Sequence, residues 1–282
     1  MTKPYTVLEI GSGSFKLHQE GLFSTRFQSS LGKGLENHHL NASSVRIALE
    51  SVTNQVLPFL SEHGIEPASV LVFATAAIRE AMKDPRESGA KFIRKIKKLG
   101  FKDVKVFSED EECGYAAKAV YEDLKDQYRD FLMLDTGGAS HQLVEFKAGK
   151  IWKQQSFPIG SHSHLDQISL PRFSLYGYNL RLPLVVIGTS GTILTKVPVL
   201  NRNVLQEMIK TLEPLDIEGR RKFMKIMAPD KTVHPLFVDF RLEVLPNAFK
   251  IILNCAEELQ CNKFLHTGQQ AMNYVSKYGF NI

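Results

Sequence analysis

Three cysteines and one tryptophan in 282 residues leave little with which to build a disulfide framework. Cys113, Cys255 and Cys261 are odd in number and show no metal-ligand spacing, which argues against a structural zinc site and fits a reducing, cytoplasmic setting. No apolar run approaches a membrane span, and the polar start MTKPYTV lacks the apolar segment of a signal peptide, so no membrane association is expected. Low-complexity segments and linkers are also missing. The charge is not strongly one-sided: a net +5 and a pI of about 9.0 favour anionic partners mildly, and no DNA or RNA partner is expected. What is present, 43% hydrophobic and 23% charged residues, is the composition of a globular protein with room for one large or two medium domains.

The chain is organised around residues 132–146, LMLDTGGASHQLVEF. A buried strand over 131–134 ends in Asp135, a turn of small residues follows (Gly137, Gly138, Ala139, Ser140), and an alternating run over 142–146 returns. Small residues between strands expose backbone N–H groups that can cradle a phosphate, and an acid ending the first strand can hold a metal ion beside it. Alone, such a turn is also an ordinary hairpin. The same grammar appears in VLEIGSGSFKLHQ, where Glu9, Gly11 and Ser14 match Asp135, Gly137 and Ser140 position for position. A duplicated hairpin predicts two similar halves, with ligand bound between them.

Around these hairpins strands alternate with helices, which predicts an α/β protein. Residues 24–41 read as a polar segment, 42–63 as an amphipathic helix, 70–74 as a strand, and 75–81 as a loop entering a helix. A helix over 88–100 carries a basic face (Arg94, Lys95, Lys97, Lys98) expected to be solvated. After a strand at 104–107, Ser108 begins the acidic run Glu109, Asp110, Glu111, Glu112; Ser108 as N-cap with Glu111 three residues on explains these acids without any catalysis. Further strands are predicted at 151–157, Leu184–Ile187 and 264–268, and helices at 204–212, 219–227, 247–259 and 269–277. A third small-residue loop, Gly188, Thr189, Ser190, Gly191, Thr192, sits at a strand-to-helix junction suited to an anion.

Six segments, in order over nearly the whole chain, resemble motifs of the exopolyphosphatase/guanosine pentaphosphate phosphatase family, within the actin-like ATPase superfold. Residues 9–14, EIGSGS, resemble D-I-G-S-N-S. Residues 74–81, ATAAIREA, resemble A-T-S-A-x-R-x-A, and 108–112, SEDEE, resemble S-G-x-E-E. Residues 135–142, DTGGASHQ, resemble D-I-G-G-G-S-x-E. Gly188 and the four residues after it resemble a later G-x-S/G-G-T loop, and 241–246, RLEVLP, resemble R-A-D-V-L-P.

The resemblance implies two actin-like (ribonuclease-H-like) domains, expected here as 1–125 and 126–282, with the active site in the cleft between them and the C-terminal helix returning to the first. It implies release of a terminal phosphate from polyphosphate or a guanosine pentaphosphate-type nucleotide by metal-assisted attack of water. Glu112 takes the catalytic-base position. Gly11, Ser12, Gly13, Ser14, Arg79, Gly137, Gly138, Ala139, Ser140, Ser190, Gly191 and Thr192 are the expected phosphate contacts. Asp135, Glu9 and Gln142 are the expected magnesium ligands, and a homodimer is left open.

The chain departs from the family pattern where Gln142 replaces Glu, Glu9 replaces Asp, Gly13 replaces Asn and Asn247 replaces Gly. An amide cannot serve as a base, although its oxygen can ligate a cation. Three readings follow: an active phosphohydrolase, a degenerate member that binds the ligand as a sensor, and an actin-like kinase or ATPase. The acidic 108–112 turn and the Arg79 segment favour the phosphatase. His38, His39 and the histidines of 162–164 read as solvated loop residues, Trp152 and the aromatics of 173–178 as core or interface, and Arg220, Arg221, Lys222 and Lys225 as a solvated helix face.

Overall fold

The computed structural model describes residues 4–138, 140–157, 159–161, 177–188, 201–227, 239–261 and 264–280. The chain divides into two compact units, Met1–Ala116 with Ala271–Ile282, and Ala117–Gln270. The sequence expectation drew its boundary at 125.

The first unit is built on β1 (Val7–Ile10), β2 (Ser14–Gln19), β3 (Phe23–Gln28), β4 (Leu71–Ala74) and β5 (Val104–Val106), in the order β3-β2-β1-β4-β5. β1 runs antiparallel to β2 and parallel to β4, and β4 runs parallel to β5. One face of this sheet presents Leu8, Ile10, Phe15, Leu17, Val72 and Ala74 to a core completed by Val52, Val56, Leu60, Phe92 and Ile96. These last come from the π-helical stretch Val52–Val56 that continues α1 (Ala42–Ser51), from α2 (Leu57–Glu62) and from α4 (Ser88–Lys98), which follows the short α3 (Ala76–Ala81). Asn41 caps α1 by accepting from the backbone of Ser43 and Ser44, which starts the helix where the apolar stripe begins.

On the opposite face Phe73, Phe107 and Tyr115 stack with centroids 4.4 and 4.8 Å apart, Tyr115 coming from α5 (Glu109–Leu124). The C-terminal helix, Ala271–Tyr278, belongs to this unit; the Tyr5 amide donates to its Ser276 carbonyl at 2.7 Å.

The second unit repeats the plan. Its strands β6 (Phe131–Thr136), β7 (His141–Lys147), β8 (Lys150–Phe157), β9 (Leu184–Ile187) and β10 (Leu265–His266) lie in the order β10-β9-β6-β7-β8, the first sheet's order read from the other edge. The directions match too: β6 is antiparallel to β7 and parallel to β9, and β9 is parallel to β10. Leu132, Leu134, Leu143, Leu184 and Val186 form a core with residues of α6 (Arg202–Leu212), α7 (Ile217–Met227) and α8 (Asp239–Glu258). The helix after α8, α9, is the C-terminal Ala271–Tyr278.

Several expectations are corrected. Phe23–Gln28, which falls almost wholly within the segment read as polar, is an edge strand on β2; its half-exposed side chains disguise the alternation. The helix expected from 247 begins at Asp239 and runs through Pro246, because Leu242, Leu245, Phe249 and Ile252 continue one buried stripe across the proline. That burial, at about 1.5–3 kcal/mol per side chain, outweighs a proline cost of about 3 kcal/mol. His38 and His39 do have carboxylate partners, Glu80 at 3.0 Å and Asp84 at 2.7 Å, which pin their loop to the α3–α4 turn. Trp152 is 73% exposed, with the Lys147 ammonium 5.3 Å from its ring centroid. Arg220 is not on a solvated face: it donates to the carbonyls of Leu212, Glu213, Leu242 and Glu243 and ties α6 to α8. Of the expected site residues, Ala139, Ser190, Gly191 and Thr192 lie outside the described residues, as do His162, Ser163 and His164.

Candidate active site

The first hairpin turns between β1 and β2 over residues 11–13. The Gly11 amide closes the turn on the Ser14 carbonyl at 3.0 Å. A Cβ on Gly11 would stand 2.9 Å from that same oxygen, so the turn requires glycine for closeness of approach. Three successive carbonyls of the turn are then held from one side. Gly11 O accepts from Ser29 Oγ at 2.7 Å, Ser12 O from the Gly32 amide at 2.8 Å, and Gly13 O from the Ser29 amide at 3.1 Å. In a trans peptide the N–H points opposite to the C=O, so clamping these carbonyls turns the amides of Ser12, Gly13 and Ser14 the other way. Successive outward amides of this kind make an anion-binding concavity. Ser29 and Gly32 were not among the expected site residues; the LGKG run at 31–34 was the only sequence signal for them.

The acid one residue before the end of β1, Glu9, is 6% exposed and pairs in register with Lys16 on β2. Lys16 Nζ meets Glu9 Oε1 at 2.6 Å. Arg26 on β3 continues the same cross-strand row, and its Nη1 is buried without a hydrogen-bond partner among the described residues.

The acidic start of α5 divides into two jobs. Ser108 and Glu111 form a reciprocal capping box: the Ser108 amide donates to Glu111 Oε2 at 3.0 Å, and the Glu111 amide donates to Ser108 Oγ at 3.1 Å. Lys105 adds a 2.9 Å ion pair to Glu111. Glu112 takes no part in the cap. Its Oε2 receives Arg79 Nη1 at 2.9 Å, while Arg79 also donates to the Phe107 carbonyl at 3.1 Å and lies 3.6 Å from Glu109. Burial raises the Glu112 pKa above the usual carboxylate range; Arg79 opposes that rise, the Glu9 charge adds to it and Lys16 opposes it. Glu112, Arg79, Glu9 and Lys16 are thus one electrostatic group beside the first hairpin.

The second hairpin reproduces the first. The Gly137 amide donates to the Ser140 carbonyl at 3.0 Å, and a Cβ on Gly137 would lie 2.8 Å from that oxygen. Gly137 O accepts from the Ser161 amide at 3.0 Å, which turns the Gly138 amide outward. Asp135 pairs in register with Gln142, as Glu9 does with Lys16. Gln142 Nε2 donates to Ser140 Oγ at 3.0 Å, which directs the amide's acceptor oxygen to the other side. Gly188, the first residue of the third loop, comes close against this acid: at φ +88° it has room for no side chain, and a Cβ would fall 2.5 Å from Asp135 Oδ1.

Asp135, beside the turn of the second hairpin, is a carboxylate that could hold a divalent cation. Among the described residues no group of three or more His, Cys, Asp or Glu side chains could hold a metal by itself. Magnesium commonly uses one or two carboxylates and completes its shell with water and substrate phosphates, and Asp135 with the Gln142 amide oxygen fits that pattern. Glu9 fits it less well, because its Oε1 is engaged by the Lys16 ammonium.

Two mixed sheets of identical order, each carrying an acid–glycine–serine hairpin between its first two strands, define a duplicated actin-like α/β fold. The sequence matches the model of the Ppx/GppA phosphatase family over residues 8–169, and the chain belongs to that family. Among solved structures it is similar to the Ppx/GppA family member of Aquifex aeolicus, with a TM-score of 0.68 and 19% identity over 97% of this chain and 96% of that one. It is also similar to an exopolyphosphatase from Cytophaga hutchinsonii, with a TM-score of 0.73 and 17% identity over 97% of each chain. At these identities the likeness speaks for the fold. The comparison with curated proteins found no match.

Proposed function

We propose that the chain is a phosphohydrolase that releases the terminal phosphate of polyphosphate or of a guanosine pentaphosphate-type nucleotide. The observation that carries this reading is Glu112, held by Arg79 and separate from the capping box that accounts for its neighbour Glu111. Glu112 is the general base. It takes a proton from water as the water oxygen bonds to the terminal phosphorus, and the bridging P–O bond breaks with its electron pair leaving on the shortened chain. The outward amides of Ser12, Gly13 and Ser14, and of Gly138, receive phosphoryl oxygens. A magnesium ion held by Asp135, with Gln142, would neutralise charge on those oxygens. Arg79 is first a positioning residue for Glu112, and a phosphate contact through whatever donor capacity its carboxylates leave.

A second reading, a binding or sensing protein with little turnover, is favoured by the neutral Gln142 opposite Asp135. Phosphate release from long polyphosphate and from guanosine pentaphosphate across a magnesium titration separates the two. Release from either substrate supports the hydrolase, and saturable binding without release supports the sensor. The cytoplasm as setting and a homodimer as assembly stay expectations on the same footing.

A further inference from the structure

The two hairpins share a backbone plan and differ in charge. In both, the acid one residue before the end of the first strand pairs with the second residue after the hairpin's serine: Glu9 with Lys16, Asp135 with Gln142. In the second hairpin the facing side chain is a neutral amide. In the first it is an ammonium 2.6 Å from the carboxylate, with both side chains largely buried, at 17% and 8% exposure. A buried carboxylate beside a phosphate site needs a compensating cation, and an ammonium at this distance supplies one permanently.

We propose that Lys16 is a resident cation at the first hairpin, standing where an acid of this kind would otherwise recruit a metal ion, so that divalent-cation binding is confined to the second hairpin. The chemistry favours this division. Lysine is a compact point charge with three donors, able to satisfy a carboxylate at close range. A divalent ion at Glu9 would have to displace it and leave the ammonium buried without its partner. Arg26, next in the same row, adds positive charge that further disfavours a metal ion there. This inference rests on the phosphohydrolase reading only in assigning the second hairpin's cation to Asp135.

The test is manganese binding to the folded, full chain, read from loss of the free-ion electron paramagnetic resonance signal, without substrate or turnover. The wild type should bind one equivalent, and Asp135→Asn should weaken it by about tenfold or more. Glu9→Gln should leave that equivalent unchanged, and Lys16→Gln, which uncovers Glu9, should add a second. Lys16→Arg should keep one, because the charge is retained. A loss of manganese in Glu9→Gln would overturn the proposal, as would an unchanged single equivalent in a folded Lys16→Gln chain. If that chain does not fold, the Glu9→Gln result decides alone. Should the wild type bind none, the Asp135 assignment fails by itself; a gain from zero to one in Lys16→Gln would still support the role of Lys16.

Discussion

Arg79 Nη1 donates to Glu112 Oε2 at 2.9 Å across 33 residues of sequence, while the adjacent Glu111 closes the helix cap with Ser108. Two neighbouring acids of one helical turn therefore have separate roles. The burial that raises the Glu112 pKa and the Arg79 charge that restrains it act against each other.

The acidic limb of the activity profile follows from that balance. A base works only when ionised, so the limb of kcat/KM should fall above the ordinary glutamate range. Arg79→Gln removes the main influence lowering the Glu112 pKa. The limb should then move to higher pH, with kcat/KM reduced at neutral pH. A limb that stays put when Arg79 is replaced would dissociate the profile from Glu112.

Stability should carry the same signature with a definite sign. A carboxyl group whose folded-state pKa is raised binds its proton more tightly in the native chain, so its contribution falls as pH climbs from the ordinary glutamate value through the raised one. Glu112→Gln lacks that group. The difference in unfolding free energy between wild type and variant should thus drift against the wild type over this window and be flat below it. Denaturant melts at several pH values give the slope.

Gly188→Ala should damage the second hairpin from outside it. The position holds φ +88°, and the new methyl would meet Asp135 Oδ1 at 2.5 Å and the Thr136 carbonyl at 2.6 Å. Strain of this kind costs on the order of 1–3 kcal/mol. Thermal melts should show the lost stability, and magnesium titration of activity should show weakened cation dependence. An alanine variant matching the wild type in both would remove Gly188 from the site.

Gln142→Glu should raise turnover. The side chain faces Asp135 across the strand pair, so a carboxylate there adds one negative charge beside the cation position. Groups supporting a metal site contribute about ten- to a hundredfold. No gain at any magnesium concentration would argue for the binding protein over the hydrolase.

Much of this was legible in the chain itself. The paired hairpins are local, and their acid–glycine–serine spacing forces the turns that the structure shows. Strand β9 was readable because four consecutive apolar residues, Leu184–Ile187, are buried on both faces. What stayed hidden depends on register or on distant partners. Lys16 reads as an outward lysine of an alternating strand until its pairing places it against Glu9. Ser29 and Gly32 look like loop residues until their bonds to the first turn are seen. Cap spacing picked out Glu111 and the family resemblance picked out Glu112, but nothing local shows that Arg79 holds Glu112, because that reach is a tertiary fact.

The most direct measurement compares two single variants, Glu111→Ala and Glu112→Gln, in phosphate release from polyphosphate or guanosine pentaphosphate and in thermal stability. Loss of the capping box should cost Glu111→Ala about 1 kcal/mol while leaving turnover of the folded protein near wild type. Glu112→Gln should keep the fold and lose at least about a hundredfold in turnover, the usual contribution of a positioned base. Turnover that survives in Glu112→Gln and collapses in Glu111→Ala would contradict the assignment.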